Sequence, residues 1–163
     1  MLVSGATGGV GAVAVQLAAA RGARVIATAR AGAEARFVRD LGAAAVVDYT
    51  GDVVAQVRAL SPRGVDAVLH LAGDGLALAD LLVPGGRFAS TRGVGADQLE
   101  GKQVTATSVM SVPTQDVLER LASDVAAGRL RVHIARTYPL DTAPRALADF
   151  SAPHVGKLAV AIA

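Results

Sequence analysis

The sequence predicts an α/β domain with a doubly wound parallel sheet in three layers, and two observations carry this prediction. Short, continuously apolar runs alternate with longer runs that have the period of a helix, as expected when helices cover both faces of parallel strands. Hydrophobic residues make up 52% of the 163 residues but aromatic residues only 3%, so a core of Ala, Val, Leu and Ile is expected. The length fits one domain, which we divide into a core over residues 1–112 and a helix-strand extension over residues 113–163.

Five apolar runs in the core are the predicted strands. None of them alternates between apolar and polar residues as a half-exposed antiparallel strand would, so we expect both faces of each strand to be buried. The predicted strands are Leu2–Ser4, Arg24–Thr28, Ala45–Asp48, Ala67–Leu71 and Arg87–Ser90.

Four helices are predicted between these strands. The first spans Gly9–Arg21, and the second spans Ala33–Leu41 and ends where Gly42 supplies a left-handed C-cap. Apolar residues at helical spacing mark the buried stripe of the first helix and the positions of the other two. These residues are Val10, Val13, Ala14, Leu17 and Ala18 in the first helix, Val53, Val54, Val57 and Leu60 in the third, and Leu78, Leu81 and Leu82 in the fourth.

The pattern changes after Gly95. The run Val104–Met110 is β-branched and rich in Ser and Thr, which predicts a strand at the edge of the sheet. Thr114 follows Pro113 as the expected N-cap of a helix that Gly128 ends. The remaining predicted elements are a strand at Val132–Tyr138, a helix at Thr142–Phe150 and a strand at Lys157–Ile162.

Composition excludes several classes of protein. A scattered net charge of +2 does not predict a nucleic-acid partner, and the absence of cysteine excludes disulfides and thiolate zinc sites. His70, His133 and His154 lie too far apart in sequence to predict a metal site. No apolar run approaches the roughly 20 residues that span a bilayer. We therefore expect a cytoplasmic protein without a membrane segment.

The strongest chemical signal is a glycine-rich loop, Gly5–Gly11, between the first strand and the first helix. Ala6, Gly8 and Gly11 occupy the three glycine positions of the dinucleotide-binding (Rossmann) fingerprint. Gly8 lets a pyrophosphate approach the backbone, and Gly11 lets the helix pack on the strand. Because the helix start also offers free N–H groups and the positive end of its dipole, the loop predicts a dinucleotide site.

The end of the second strand predicts which dinucleotide is bound. Thr28 and Arg30 are the polar residues there, and no carboxylate stands where one would hold the two ribose hydroxyls of NAD. Arg30 can instead make a charge-assisted contact to a 2′-phosphate, or it is simply a solvated surface charge. We therefore predict NADP(H) as the cofactor and count Thr28 and Arg30 among its contacts.

Landmarks in a characteristic order then identify a family. They are Ala14–Ala18, Gly22–Thr28, Leu41–Ala43 leading to Val47–Tyr49, Gly64–Leu69 followed by Gly73, Pro84–Arg87, Tyr138–Leu140 and Gly156–Lys157. Together with the phosphate loop, they resemble the quinone oxidoreductase branch of the medium-chain dehydrogenase/reductase superfamily over essentially the whole chain.

The resemblance implies a set of cofactor contacts. Gly9 and Val10 would touch the pyrophosphate, while Arg30 and Tyr49 would lie near the adenosine 2′-phosphate. The residues after the fourth and fifth strands would border the nicotinamide, and they are Leu71, Ala72, Gly73, Thr91, Arg92 and Gly93.

Two residues depart from the pattern of that family. His70 stands where relatives usually carry Asp. Glu34 stands where some relatives place a Lys toward the 2′-phosphate, which leaves Arg30 to carry the preference for NADPH.

The resemblance also raises an expectation about partners. Family members begin with a barrel-like domain that supplies most of the substrate pocket, and we expect this domain to be absent here or supplied in trans. The segments Val132–Tyr138 and Leu158–Ile162, which would pack on it, are then expected to leave apolar surface uncovered. A homodimer paired through Val104–Met110 is implied as well, since an unpaired edge strand favours strand addition.

The activity that the resemblance implies is zinc-independent hydride transfer from NADPH to a quinone or an activated alkene. No acid/base constellation is found, so we assign no catalytic residue. A non-catalytic module that binds or senses NADPH, or that contributes dimer contacts, is one alternative. An atypical short-chain reductase is another, but it would need a Lys four residues after a Tyr, and Val53 and Thr142 follow Tyr49 and Tyr138 at that spacing.

Overall fold

The computed structural model describes residues 1–152 and 154–162, so Pro153 and Ala163 of the predicted extension lie outside the described residues. The strands are β1 (Leu2–Ser4), β2 (Ile26–Thr28), β3 (Ala45–Val47), β4 (Val65–His70), β5 (Leu82–Ser90), β6 (Val104–Ser108), β7 (Ile134–Pro139) and β8 (Lys157–Ala161). The helices are α1 (Gly9–Ala20), α2 (Ala33–Asp40), α3 (Val53–Leu60), α4 (Gly75–Ala79), α5 (Gln115–Ala126) and α6 (Ala143–Phe150).

The main sheet is parallel and has the strand order β3-β2-β1-β4-β5-β6. This is the order of the dinucleotide-binding fold, in which the chain reverses direction across the sheet between β1 and β4. The strands β7 and β8 form a separate parallel pair in the extension. The predicted fold class is confirmed.

Two hydrophobic clusters lie on opposite faces of the main sheet. Successive residues of a strand point to opposite faces, so Leu2 belongs to one cluster and Val3 to the other. The first cluster includes Val57 of α3, and the second includes Val15 of α1. Helices therefore cover both faces, which gives the predicted three layers.

The expectation that every strand is buried on both faces is correct for β1 and β2 and wrong for β5. In β5, Arg87 is exposed, although Phe88 beside it is buried. The same uncovered face continues onto β6, where Thr105 and Thr107 are exposed. This part of the face is therefore open, and α5, the next helix along the chain, has no buried residue.

The stripe predicted to be buried in α1 is not the most buried side of that helix, although Ala18 of the stripe packs against the second cluster. The residues that α1 buries are Gly11, Ala12 and Val15, whereas Val10 is 57% exposed. A Cβ atom at Gly11 would overlap the carbonyl oxygen of Gly5 and the backbone of Ala6. The helix therefore presents its smallest residues to the sheet, and close approach rather than hydrophobicity decides which side faces inward.

The fourth predicted helix extends too far along the chain. The observed α4 ends at Ala79, Leu81 follows it as a buried residue, and Leu82 begins β5 opposite Val65. The helix starts at Gly75, before Leu78, the first residue that marked the predicted helix. Asp74 caps this start, because its side chain accepts hydrogen bonds from Leu76 N at 3.0 Å and Ala77 N at 3.2 Å.

The elements of the extension agree with the predictions, apart from their end residues. Thr114 caps α5 by accepting a hydrogen bond from Val117 N at 3.4 Å, and Gly128 follows that helix with a φ of 69°. The expected apolar surface is present, since large hydrophobic side chains in and beside β7, β8 and α6 are exposed. They include Val132, Ile134, Leu147, Phe150, Val160 and Ile162.

The extension joins the core beside the phosphate loop. Gly156 N donates to Thr7 O at 2.7 Å, and Gly8 and Gly156 form a parallel β-bridge. The amide of Gln16 exchanges two hydrogen bonds of 2.9 Å with the backbone of Arg131. Among the residues that the structure describes, no helix is both long and apolar enough to cross a membrane.

Candidate functional site

Two adjoining cavities lie at the carboxyl ends of the central strands. The first has a volume of about 510 Å³ and the second about 640 Å³. Both are lined by Gly5, Thr7 and Ala72, so the phosphate loop and the loop after β4 separate them. This is the edge of an open α/β sheet at which ligands generally bind.

The phosphate loop is built to leave backbone groups free. Gly5 has a φ of 81°, and its N–H donates to the hydroxyl of Thr28 at 2.9 Å, which fixes the start of the loop against β2. A Cβ atom at Gly8 would have only the carbonyl oxygen of Gly5, at 3.5 Å, within contact distance. Gly8 provides no side-chain cap, and the first turn of α1 has no acidic residue. The N–H groups at the start of α1 therefore remain available to an anion.

The first cavity contains several of the predicted cofactor contacts. Thr28, Tyr49, Ala72 and Gly73 line it. Sequence reasoning missed most of the other residues that line it, which come from the ends of β1, β3 and β4 and from the first turns of α3 and α4. They include Ser4, Asp52, Val53, Val54, Asp74 and Leu78. The general rule that ligands lie beyond the carboxyl ends of parallel strands could have indicated Asp52 and Asp74.

Arg30, Glu34 and Tyr49 form a polar cluster beside the first cavity. Arg30 donates to Glu34 through its backbone N at 2.9 Å, its Nε at 2.8 Å and its Nη2 at 2.6 Å. Tyr49 donates its hydroxyl to Glu34 Oε1 at 3.3 Å, and the Arg30 guanidinium lies 6.0 Å from the Tyr49 ring centroid. Arg30 itself lines neither cavity, so Tyr49 connects the cluster to the first one.

Hydrogen bonds within this cluster stabilise the charged form of Glu34. Burial raises the pKa of Glu34, but hydrogen bonds from Arg30 and Tyr49 outweigh burial and hold that pKa below its ordinary value. The pKa of Tyr49 is raised by burial and by its hydrogen bond to the Glu34 carboxylate. Glu34 is therefore a charged carboxylate at neutral pH, and Tyr49 a neutral donor.

The second cavity combines the phosphate loop with the extension. It is lined by seven of the predicted residues, namely Gly8, Gly9, Val10, Gly11, Leu71, Ala72 and Thr91. Phe150, His154 and Lys157 line it from α6 and the segment that follows. The Lys157 side chain lies directly against Gly9, because a Cβ atom there would overlap it and would lie 2.8 Å from Lys157 Nζ. A cation therefore lies beside the backbone that the sequence assigns to a pyrophosphate.

Lys157 was not predicted as a site residue, although it was recognised as a landmark of the last strand. Nothing in the local sequence indicates that β8 returns to the phosphate loop. Its proximity to Gly9 follows from the bridge between Gly8 and Gly156, which pairs residues far apart in the chain.

Four predicted site residues line neither cavity, namely Arg30, Ala6, Arg92 and Gly93. Ala6 is fully buried in the core, where it contributes to the turn. Arg92 and Gly93 are exposed beyond the end of β5. Arg92 is nevertheless connected to the site, since its backbone N donates to the hydroxyl of Ser90 at 3.0 Å.

His70 links the loops that follow β4 and β5. It is buried, with Nε2 3.1 Å from the carbonyl oxygen of Gly73 and Nδ1 3.0 Å from the hydroxyl of Ser90. A carbonyl oxygen can only accept, so a proton lies on Nε2 and His70 donates to Gly73. The residue that departs from the family pattern is thus a satisfied core histidine that positions two loops of the site.

The described residues offer little for metal binding or acid/base catalysis. Residues 1–152 and 154–162 contain no group of three or more His, Cys, Asp or Glu side chains that could hold a metal ion. Tyr138 donates its hydroxyl to Asp149 at 2.6 Å, and burial together with this bond raises the pKa of Tyr138. The site is therefore suited to binding and orienting a ligand.

Comparisons with known proteins identify the family of this chain. The family model for zinc-binding dehydrogenases matches residues 41–160. A chloroplast envelope quinone oxidoreductase homolog of Arabidopsis thaliana is 31% identical over 173 aligned residues, which cover 98% of this chain and 51% of that protein.

Solved structures give the same result. The quinone oxidoreductase from Coxiella burnetii has a TM-score of 0.86 and 27% identity, with 99% of this chain and 52% of that chain covered. The Escherichia coli quinone oxidoreductase, solved in complex with NADPH, has a TM-score of 0.84 and 26% identity, with 99% of this chain and 56% of that chain covered. This chain thus spans about half the length of the relatives it matches.

Proposed function

The chain belongs to the zinc-binding dehydrogenase family, in the quinone oxidoreductase branch of the medium-chain dehydrogenase/reductase superfamily, and we propose that it is an NADPH-binding domain. The enzyme that contains this domain would reduce a quinone or an activated alkene. The observation that carries the proposal is the phosphate loop between two adjoining cavities. A dinucleotide has the matching shape, because its two nucleosides are joined by a pyrophosphate.

The two cavities divide the cofactor between them in this proposal. The first, which Tyr49 lines, takes the adenosine, and the second, which Thr91 lines, takes the nicotinamide. The pyrophosphate then lies against Gly8 and Gly9, where the free N–H groups of α1 and the Lys157 ammonium neutralise its charge.

When bound, NADPH supplies the hydride, and the protein supplies position and surroundings. Leu71 and Ala72 in the loop after β4 and Thr91 in the loop after β5 would hold the nicotinamide, whereas Gly73, predicted for the same side, lines only the first cavity. His70 keeps these loops at a fixed separation through its bonds to Gly73 and Ser90. Leu71 and Phe150 line the same cavity and would limit the access of water to the reacting atoms.

The residues of this chain do not fit the zinc site that the family description suggests. The sequence has no cysteine, and the part of the chain that the structure describes has no cluster of metal-binding side chains. The proposed hydride transfer accordingly uses no zinc bound by this chain.

The preference for NADPH over NADH rests on Arg30 in this proposal. Arg30 lies at the end of β2, with its side chain 45% exposed and its guanidinium near Tyr49. Its charge and fork of donors suit a 2′-phosphate.

Calorimetric titration with NADPH and NADH tests this assignment. NADPH should bind at micromolar affinity. Arg30→Ala should weaken the binding of NADPH without weakening the binding of NADH. Failure of both nucleotides to bind would contradict the proposed function.

Two partner surfaces belong to the proposal. The strand β6 is the last of its sheet, and Val109 and Met110 just beyond it are 43% and 85% exposed, which supports pairing of two copies along this edge. The exposed apolar side chains of the extension support contact with a barrel-like domain, in the same protein or in trans. Light scattering should give a dimer mass, and a monomer at high concentration would refute pairing through β6.

A non-catalytic NADPH-binding module is the second candidate. It is favoured by the chemistry of the described residues, in which both tyrosines donate to carboxylates and neither is followed by a lysine four residues later in the sequence. Tight NADPH binding without oxidation of NADPH by a series of quinones and enones would support this candidate over the first.

A further inference from the structure

The Glu34 carboxylate already accepts hydrogen bonds from the Arg30 guanidinium, which a 2′-phosphate would need. Both of its oxygens are engaged with Arg30, since Oε2 accepts from the backbone N and Oε1 accepts from Nε and Nη2. The two donors of Arg30 that form a fork toward an anion are thus already directed at one internal oxygen. A 2′-phosphate reaching Arg30 must share or displace Glu34.

This pair differs from an ordinary ion pair on a helix surface. An exposed pair at this spacing contributes little and rearranges easily. Glu34 has a side chain that is only 11% exposed, and it is bound to the backbone of β2's end as well as to two side chains. Since displacing this carboxylate would break several bonds at once, it stays near any ligand bound beside Tyr49.

A charged carboxylate at this place has opposite effects on the two cofactors. It repels a 2′-phosphate, which carries up to two negative charges near neutral pH. It can accept hydrogen bonds from the unphosphorylated ribose hydroxyls, which is the role of the acidic residue in NAD-binding domains. Here the acidic residue comes from the first turn of α2 instead of the end of β2, so that sequence position alone does not identify it.

We propose that Glu34 is a specificity-determining residue that reduces the preference for NADPH set by Arg30, so that the site accepts NADH with an affinity within about tenfold of that for NADPH. This inference rests on the proposed function, because it assumes that the adenosine ribose lies beside Tyr49.

The test compares Glu34→Gln with the unchanged chain by calorimetric titration. The amide keeps an oxygen that can accept from Arg30 but removes the charge. The ratio of NADPH to NADH affinity should increase about tenfold in the variant, the effect of one charge-assisted contact. The matched control is Asp124→Asn in α5, a helix that lines neither cavity. It removes the carboxylate of another Arg pair, with Arg129 at 2.8 Å, and should leave the ratio unchanged.

A second measurement needs no variant. The fragments 5′-AMP and 2′,5′-ADP differ only in the 2′-phosphate and should bind the unchanged chain within about tenfold of each other. Preference for 2′,5′-ADP well beyond this range would overturn the inference even if Glu34→Gln failed to fold.

The outcomes separate the inference from the proposed function. If both dinucleotides bind and Glu34→Gln leaves their affinity ratio unchanged, Glu34 has no part in specificity, whereas the cofactor site stands. If neither dinucleotide nor either fragment binds the unchanged chain, the proposed function fails and the inference with it.

Discussion

The helices α1 and α5 have the same length of 12 residues but opposite relations to the rest of the molecule. The first has little separation of polar and apolar residues, yet it buries Gly11, Ala12 and Val15. The second has a clear apolar face, yet Leu118 on that face is 54% exposed and the helix buries no residue. An amphipathic pattern predicts that a helix forms. Whether its apolar face is buried depends on whether another apolar surface packs against it.

The same contrast separates the core from the extension. The two hydrophobic clusters include residues from every layer of the core and none of the described residues from α5 to β8. The extension is held by backbone bonds at the phosphate loop and by the Gln16–Arg131 exchange. Substitutions should therefore affect stability strongly in the core, and ligand binding more than stability in the extension.

The largest effect is expected at the contact between α1 and β1. A side chain at Gly11 has no space against Gly5 and Ala6, and backbone cannot yield as a flexible side chain can. Gly11→Val should reduce the free energy of unfolding by about 3 kcal/mol and abolish nucleotide binding. Urea denaturation measures the first effect, and a variant as stable as the unchanged chain would show that the close approach is not needed.

A matched pair of valines tests the contrast between the helices directly. Val15 of α1 is fully buried, and Val117 of α5 is 38% exposed. Val15→Ala should cost about 2 kcal/mol of unfolding free energy, and Val117→Ala less than about 0.5 kcal/mol. Equal costs in denaturant titrations would mean that α5 is buried in solution, for example by a second copy or another domain.

The two lysines of the chain test whether the extension contributes to binding. Lys157 lies against Gly9, whereas Lys102 pairs with Asp80 away from both cavities. Lys157→Ala should reduce the affinity for NADPH about tenfold, because it removes one charge from the pyrophosphate site. The free energy of unfolding should change little. Lys102→Ala should leave the affinity unchanged, and similar affinities for both variants would remove Lys157 from the site.

The smallest effect concerns the pH dependence of the extension. The hydrogen bond from Tyr138 and the charge of Arg136 lower the pKa of Asp149 from its ordinary value of 3.8. A carboxyl whose pKa is lower in the folded state stabilises that state above the ordinary pKa, and this contribution is lost as the pH falls through the lowered value.

Asp149→Asn should therefore destabilise β7 and α6 at pH 7 and have a smaller effect near pH 3. Hydrogen exchange of these elements at several pH values measures this, and an effect independent of pH would assign the loss to packing alone.

The sequence predicted the fold well because its signals are local. The apolar runs, the caps at Thr114 and Gly42 and the phosphate loop each depend on a few neighbouring residues. The buried side of α1 was mispredicted, because steric contact at Gly11 outweighs hydrophobicity there. Lys157 and the bonds of Glu34 to Arg30 and Tyr49 could not be predicted, since they depend on where separate segments meet in three dimensions.

The bond from Gly156 N to Thr7 O determines when the second cavity can form during synthesis. Its walls come from residues near Gly5–Gly11 and from Phe150 and the segment that follows, so no partial chain that stops before α6 contains it. The strands β1 to β6 precede α6 in the chain, so they leave the ribosome before the residues of these walls are complete. The nicotinamide side of the site would thus be its last part to be assembled.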